Sequence, residues 1–297
     1  PQRYTLALGG KRIRPVMTMI AAGLCEGDPL RALHAAVCVE MTHTFTLIHD
    51  DIMDAADLRR GKETVFRKWG IPTAILSGDS LFVQAMMHLN RYGDSLSASE
   101  LNQLFSVYFK GVNEVCEGQA LDMELASRET CEPGDYLRMI GAKTAALLET
   151  AMVMGGISVH AGPEQLERLG VIGRSLGIAF QIQDDLLDAS ADQEKLGKTV
   201  GGDILEGKKT FMTTLLLSGG EPQAAERIRR ILAKPSRDQN DVSDVLAMFH
   251  EHGVFDRTRQ AVDHHYGMAE QALHAFSPSR FQNDMSDLID FLKRRDH

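Results

Sequence analysis

The sequence predicts an all-α protein, one large bundle of about ten helices, and three observations lead there. Apolar residues recur at helical spacing in almost every long segment, whereas residue-by-residue alternation, the mark of a half-buried strand, is weak. The nine prolines fall mostly where helices should begin or connect, at Pro15, Pro29, Pro72, Pro133, Pro163, Pro222 and Pro235, because proline is tolerated in a first turn and breaks later ones. Turn-forming clusters punctuate the apolar stretches.

Taken in order, Glu26-Gly27-Asp28-Pro29 is the first of these breaks. An apolar helix then runs into His43 and ends in a burst of charge, HTFTLIHDDIMDAADLRRG over 43–61. Leu101, Leu104, Phe105, Tyr108 and Phe109 form an i, i+3, i+4, i+7 stripe. Residues 147–159 and 171–187 are apolar almost all round and are expected at the centre of the bundle. Gly155-Gly156 and Ser218-Gly219-Gly220 break the chain again, and Leu288, Ile289, Phe291 and Leu292 make a last stripe.

Composition narrows the function classes. A chain of 297 residues, 43% hydrophobic and 25% charged, has the make-up of a folded soluble protein with a large core. Its length is about twice the common ~150-residue domain, yet no Pro/Gly/Ser-rich linker marks a seam, so one domain over 1–297 is expected. The net charge of −9 argues against a nucleic-acid partner, which would need a basic face. Cys25, Cys38, Cys116 and Cys131 lack metal-type spacing and read as reduced, mostly buried thiols of a cytoplasmic protein. No uninterrupted apolar run approaches the ~20 residues of a membrane span, and the sequence, which starts at Pro1 rather than Met, shows no signal-peptide pattern.

Two acidic motifs carry the chemistry. Asp50 and Asp54 are four residues apart, one turn above each other on a helix, with Asp51 beside them. Asp184, Asp185 and Asp188 in QIQDDLLD repeat that spacing at the polar end of a second apolar helix. One such cluster could be a solvated helix end, but two suggest carboxylate ridges facing one cavity, neutralised by cations. Oxygen donors suit Mg²⁺, shared with substrate phosphates, and the absence of Cys/His spacing disfavours zinc. Basic residues beside glycine or threonine recur in this acidic chain: Lys11, Arg12 and Arg14 in GGKRIRP, Arg59 and Arg60, Lys143-Thr144, Lys198, and Lys208-Lys209. Such packets suit phosphate oxygens. None fits the P-loop pattern.

In this order GGKRIRP, LIHDDIMD, LRRG, GKTAALLE, FQIQDDLLD, LGKTVGGD and EGKKT resemble the trans-isoprenyl diphosphate synthases, the group containing farnesyl and geranylgeranyl diphosphate synthases. The resemblance covers residues 9–211 in ordered motifs and the later helices more diffusely. That family usually has a further N-terminal helix before the GGKR packet, where this sequence has eight residues.

The resemblance implies a helical bundle around a catalytic cavity, where Mg²⁺, three ions with bound diphosphate, helps ionise an allylic diphosphate that isopentenyl diphosphate then attacks. It implies metal ligation by Asp50, Asp54 and Asp184 directly and by Asp51, Asp185 and Asp188 in support. Lys11, Arg14, His43 and Arg60 match positions that hold isopentenyl diphosphate; Arg59, Lys143, Thr144, Gln181, Lys198 and Lys208 match the allylic side. Lys143, Thr144 and Gln181 would also set dipoles near the cation. Gln119 and Asp122 would orient metal-bound waters, while His49 is structural or supports the ligands from behind.

Chain length depends on the floor of the cavity. Phe45 is five residues before Asp50, about 7.5 Å of helix rise, and by resemblance caps the allylic tail, with Thr42 and Thr46 leaving room around it. An aromatic floor, with no extra residues between Asp50 and Asp54, points to a twenty-carbon product, with fifteen carbons as competitor. A class I terpene cyclase would share the first motif but need neither DDLLD nor GGKRIRP; a regulatory subunit of a heteromeric synthase would have eroded aspartates. The resemblance also implies a homodimer, for which 33–39 and the apolar side of 101–109 are candidate faces.

Overall fold

Glu26-Gly27-Asp28-Pro29 does what a break of that composition should. In the computed structural model, which describes residues 1–190, 201–219 and 221–295, Glu26 takes a positive φ of 61°. The Asp28 side chain accepts from Leu30 N at 3.0 Å and caps a short 3₁₀ turn, Pro29–Ala32. That turn separates α2 (Ile13–Leu24) from α3 (Leu33–Met53), behind the short α1 (Gln2–Ala7).

The remaining helices follow in order: α4 (Val65–Trp69), α5 (Ile71–Leu89), α6 (Ala98–Ser127), α7 (Pro133–Ile140), α8 (Ala146–Ile157) and α9 (Pro163–Ser190). After them come α10 (Gly202–Glu206), α11 (Phe211–Gly219), α12 (Pro222–Leu232), α13 (Gln239–Glu251), α14 (Val254–His274) and α15 (Arg280–Lys293). The fold is all-α, as the periodicity predicts, with more and shorter helices than ten. Proline stands in the first turn of α5, α7 and α12. The only strands among the described residues are Leu58–Arg59 and Lys62–Glu63, a two-residue hairpin.

The helices sort into two compact units. The first comprises 1–112, 147–170 and 276–285, so α6, α9 and α15 contribute to both. Its core is small and apolar, with Met17 and Ala21 on α2, Ala35, Cys38 and Val39 on α3, Leu81 and Ala85 on α5, and Met152 and Met154 on α8. Small residues let backbones approach: a Cβ on Gly155 would lie 2.2 Å from Thr18 O. Residues 147–159 are thus central, as expected. The 33–39 stretch is mostly core as well, since Ala35, Ala36, Cys38 and Val39 are all buried.

The second unit comprises 113–146, 171–275 and 286–297. Its core includes Ile172, Leu176, Ala179 and Ile182 of α9, Met212 and Leu216 of α11, Val245 and Phe249 of α13 and Tyr266 of α14, all buried. In the final stripe Ile289 and Leu292 are buried, while Phe291 is exposed. The stretch Pro133–Ile157 is long and apolar enough by composition to cross a membrane, but 78% of its apolar window is buried inside the protein, as in a core helix.

Candidate active site

In the first unit the acidic motif sits at the end of α3. Helical geometry continues one residue past Met53: Asp54 N donates to Asp50 O at 2.8 Å, which keeps Asp50 and Asp54 one turn apart as their spacing predicts. Asp50 is half-buried and Asp54 exposed. Asp51 is buried, and its Oδ1 accepts from Arg59 Nε at 2.6 Å. Burial pushes the Asp51 carboxyl up, against the pull of the Arg59 guanidinium.

Arg59 reaches Asp51 because the chain reverses at once. Arg59 pairs with Lys62 across a loop of Arg60 and Gly61, whose φ values are 53° and 73°; positive φ at both positions is what the tightest hairpin turn needs. That turn presents Arg60 to the glycines of GGKRIRP, where its guanidinium donates to Gly9 O. A Cβ on Gly10 would lie 2.8 Å from the Arg60 nitrogens, so the second glycine leaves room for the guanidinium.

His43, two turns before Asp51 on α3, is the centre of this cationic group. Burial, then Arg14, Arg60, Arg59 and Arg12, hold its imidazole well below the usual histidine range, so the ring is neutral among four guanidiniums. Burial likewise pulls Arg14 down to about 10, with Glu40 opposing, and Arg14 Nε is buried with no partner. Arg12 pairs with Glu40. Lys11 is exposed and has a partner of its own. Glu40, which faces both Arg12 and Arg14, is a carboxylate outside the acidic motif that no local pattern in the sequence marks.

On the same helix Phe45 is buried. Its ring meets Phe82 edge-on at 5.4 Å, and Phe82 stacks on Tyr108 at 6.3 Å. Thr42 is buried with its hydroxyl 3.0 Å from that of Tyr108, and Thr46 Oγ1 donates to His43 O. Neither Phe82 nor the part played by Tyr108 is visible in local sequence, because both come from other helices. His49 lies near Ile75 O and packs on Phe45, a structural position.

The second unit carries the other acidic motif on α9. Asp185 is buried; its Oδ2 accepts from Tyr136 OH at 2.6 Å and from Phe211 N at 3.1 Å. Burial pushes its carboxyl up to about 7 despite the Tyr136 hydrogen bond. Asp188 Oδ2 accepts from Asp203 N at 3.0 Å. Asp184 is more open, and Arg295 Nη2 lies 2.5 Å from its Oδ1. Asp203 itself pairs with Lys208 at 3.2 Å, and Lys208 also meets Glu206 at 2.6 Å. Burial works against the Lys208 charge, but these two carboxylates outweigh it and raise its pKa. The neighbouring Lys209 does a different job, donating to Leu125 O and Ala126 O near the end of α6. Lys198 lies outside the described residues.

Lys143 and Thr144 stand in a π-helical turn, Gly141–Ala145, between α7 and α8. Such turns insert an extra residue and re-aim side chains, often at functional sites. Here Lys143 Nζ donates to Asp122 Oδ2 at 2.5 Å and Thr144 Oγ1 to Gln181 Oε1 at 3.2 Å. Gln119 Oε1 is buried with no partner. Of the residues expected to act together, the second unit therefore groups Lys143 with Asp122 and Thr144 with Gln181. Tyr136, Asp203, Gln183 and Arg295 were not foreseen; of these only Asp203, in a Gly-Gly-Asp packet beside basic residues, left a signal in the sequence.

Residues 1–249 match the polyprenyl synthetase family. This chain belongs to that family. A polyprenyl synthetase is a prenyltransferase, and the relatives agree. The chain is 37% identical to a short chain isoprenyl diphosphate synthase of Methanothermobacter thermautotrophicus, over 99% of this chain and 89% of the relative. Its fold superposes on the crystal structure of geranylgeranyl pyrophosphate synthetase from Pyrococcus horikoshii Ot3 with a TM-score of 0.93 at 37% identity, covering 99% of this chain and 89% of that one. A polyprenyl synthase from Caulobacter crescentus CB15, solved with calcium and isoprenyl diphosphate, gives 0.87 at 31% identity, with coverage of 100% and 88%.

The polyprenyl synthetase carboxylates fit a hard divalent cation by donor chemistry. Among the described residues no three His, Cys, Asp or Glu side chains converge into a cage that would hold a metal alone. Mg²⁺ rarely has such a cage: it is commonly bound by one or two carboxylates together with waters and substrate phosphates.

Proposed function

We propose that this chain condenses isopentenyl diphosphate with an allylic diphosphate head to tail, that Mg²⁺ is required, and that the product carries twenty carbons, with fifteen as the nearest alternative. The observation that carries this reading is the set of guanidiniums around neutral His43. Four positive charges beside an imidazole that stays uncharged favour an incoming dianion, and Arg14 Nε supplies a buried donor still without a partner. A cyclase, which binds no second diphosphate, has no use for that group.

The roles of the chain's own groups follow from their chemistry. Lys11, Arg14, His43 and Arg60 hold isopentenyl diphosphate. Arg59, Lys143, Lys198 and Lys208 neutralise the allylic diphosphate, while Asp50, Asp54 and Asp184 supply oxygens to Mg²⁺, with Asp51, Asp185 and Asp188 in support. The metal, when bound, acts as a Lewis acid on the leaving group. The allylic C1–O bond breaks with its electron pair going to diphosphate, C4 of isopentenyl diphosphate bonds to C1, and a proton leaves C2 for the released diphosphate. Thr144 and Gln181, 3.2 Å apart, present fixed dipoles to the cation at low reorganisation cost. Phe45, backed by Phe82 and Tyr108, limits the growing tail.

A homodimer fits Leu76, Val83 and Met87 on α5 and Phe109 on α6, all exposed. The free cysteines fit a reducing, cytoplasmic setting. The test incubates purified protein with Mg²⁺, labelled isopentenyl diphosphate and, separately, five-, ten- and fifteen-carbon allylic diphosphates, with chromatography of the dephosphorylated products. A metal-dependent ladder ending at twenty carbons is expected. Hydrocarbon without elongation would establish a cyclase instead, and no turnover by the protein alone would indicate a subunit needing a partner.

A further inference from the structure

Arg295 lies beyond the last helix, yet its side chain is only 7% exposed. Its guanidinium carbon is 4.0 Å from the Phe180 ring centroid, and its Nη2 reaches Asp184 Oδ1 at 2.5 Å. The backbone behind it is fastened. Gln183 Nε2 donates to Lys293 O at 3.1 Å and to Arg295 O at 3.4 Å, while Gln183 Oε1 accepts from Tyr266 OH at 2.6 Å. Lys293 pairs with Glu270 on α14. Two consecutive residues of α9 thus hold one end segment, Gln183 by its backbone and Asp184 by its charge.

The geometry points to a clasp: Arg295 pairs with the carboxylate of Asp184, and a divalent metal loading at that carboxylate would displace the guanidinium. This rests on the proposed role of Asp184 as a metal ligand. A carboxylate oxygen bound directly to Mg²⁺ has the ion at about 2.1 Å, and a guanidinium nitrogen on the same oxygen would set two cations against each other at short range. The two states are therefore exclusive at that oxygen. Arg295 fixes the position of the Asp184 carboxylate and raises the cation concentration at which the second motif fills. Displacement of Arg295 would also loosen the segment after α15, which Gln183 holds by its backbone and Glu270 through Lys293.

The pair is half-open on the Asp184 side, at 41% exposure, so its strength is moderate and the expected competition is about threefold to tenfold in metal affinity. The test is Mn²⁺ binding to the whole protein with an unreactive thiolodiphosphate analogue of the allylic substrate at one fixed saturating concentration, followed by the loss of the free-ion resonance signal, for the parent, Arg295→Gln and Asp184→Asn. Glutamine keeps the planar group over Phe180 and removes only the charge. Arg295→Gln should bind Mn²⁺ threefold to tenfold more tightly than the parent, and Asp184→Asn should lose that binding. Hydrogen exchange of the 286–295 peptide should speed up when Mg²⁺ is added to the parent. If Arg295→Gln binds no more tightly than the parent while Asp184→Asn still loses binding, the clasp is wrong and the metal role of Asp184 stands. If Asp184→Asn binds Mn²⁺ like the parent, the metal role fails and the clasp falls with it.

Discussion

Asp51 Oδ1 and Arg59 Nε are 2.6 Å apart, so the middle carboxylate of the first motif ties down the hairpin that follows it. The outer two, Asp50 and Asp54, stay one turn apart at the end of α3. Burial thus separates three neighbouring aspartates: Asp51, the deepest, holds the hairpin, while Asp50 is half-buried and Asp54 exposed. Asp51→Ala removes the buried acceptor of the half-buried Arg59 guanidinium and is expected to destabilise the protein by about 1–3 kcal/mol, measured by urea unfolding. Asp51→Asn, whose amide oxygen can still accept from Arg59, should lose less. Equal losses for both would mean that charge rather than the hydrogen bond holds the hairpin.

His43 sets a pH dependence of defined sign. Its folded pKa lies well below the ordinary value of 6.5, through burial first and the arginines second. Between the two values the unfolded chain carries a proton that the folded one does not, so stability rises with pH. The stabilisation is complete above about pH 6.5–7 and is lost as pH falls below that, by roughly 1 kcal/mol in the first unit of descent. Melting temperatures at pH 7.5 and 5.5 should differ less in His43→Gln than in the parent. A variant whose pH response matches the parent's would assign that response to other groups.

Asp50→Ala and Asp184→Ala are each expected to lower kcat/KM by at least about a hundredfold, through loss of a cation ligand at the leaving diphosphate. Circular dichroism should stay unchanged, because neither side chain is buried. Near-normal turnover in either variant would remove that residue from the ligand set.

How much of this was legible in the sequence depends on how local each signal is. The helices, their breaks at Asp28-Pro29 and Pro133, and the i, i+4 placing of Asp50 and Asp54 follow from spacing along one segment and are present as read. The hairpin at Arg59–Lys62 is only two residues per strand, too short for alternation to register, although the Arg60-Gly61 pair that turns it was in view. The π-helical turn at Gly141–Ala145 leaves no periodicity that differs from its flanking helices. Tyr136 on Asp185 and Arg295 on Asp184 join residues 49 and 111 positions apart; such pairings depend on packing, so no window of sequence contains them. The same holds for the aromatic cluster: the resemblance singles out Phe45, whereas its contact with Phe82, and that of Phe82 with Tyr108, join different helices.

That aromatic cluster makes Phe45 a test of chain length. Removing its ring leaves Phe82 and Tyr108 in place but opens space five residues before Asp50. Phe45→Ala should lengthen the product by one or more five-carbon units, read by chromatography of dephosphorylated prenols. It should also cost about 3 kcal/mol or more of stability, as truncation of a buried phenylalanine does. A less stable variant with the same product would return Phe45 to the ordinary core.

Gly118 is the sharpest test of the π-helical turn. On α6 a Cβ there would stand 2.2 Å from Lys143 N and 2.5 Å from Lys143 Cα, and backbone atoms cannot swing aside as a side chain can. Alanine would by helix propensity alone stabilise α6 by about 1 kcal/mol, but relief of this contact requires the turn and α6 to separate. Lys143 would then leave Asp122, now 2.5 Å away, and Thr144 would shift from Gln181. Gly118→Ala is therefore expected to destabilise the protein by about 1–3 kcal/mol, the cost of overpacking. Its turnover should fall at least tenfold while product length is unchanged. A variant that is more stable and fully active would show that the turn moves freely, and that the placing of Lys143 and Thr144 does not depend on close approach to α6.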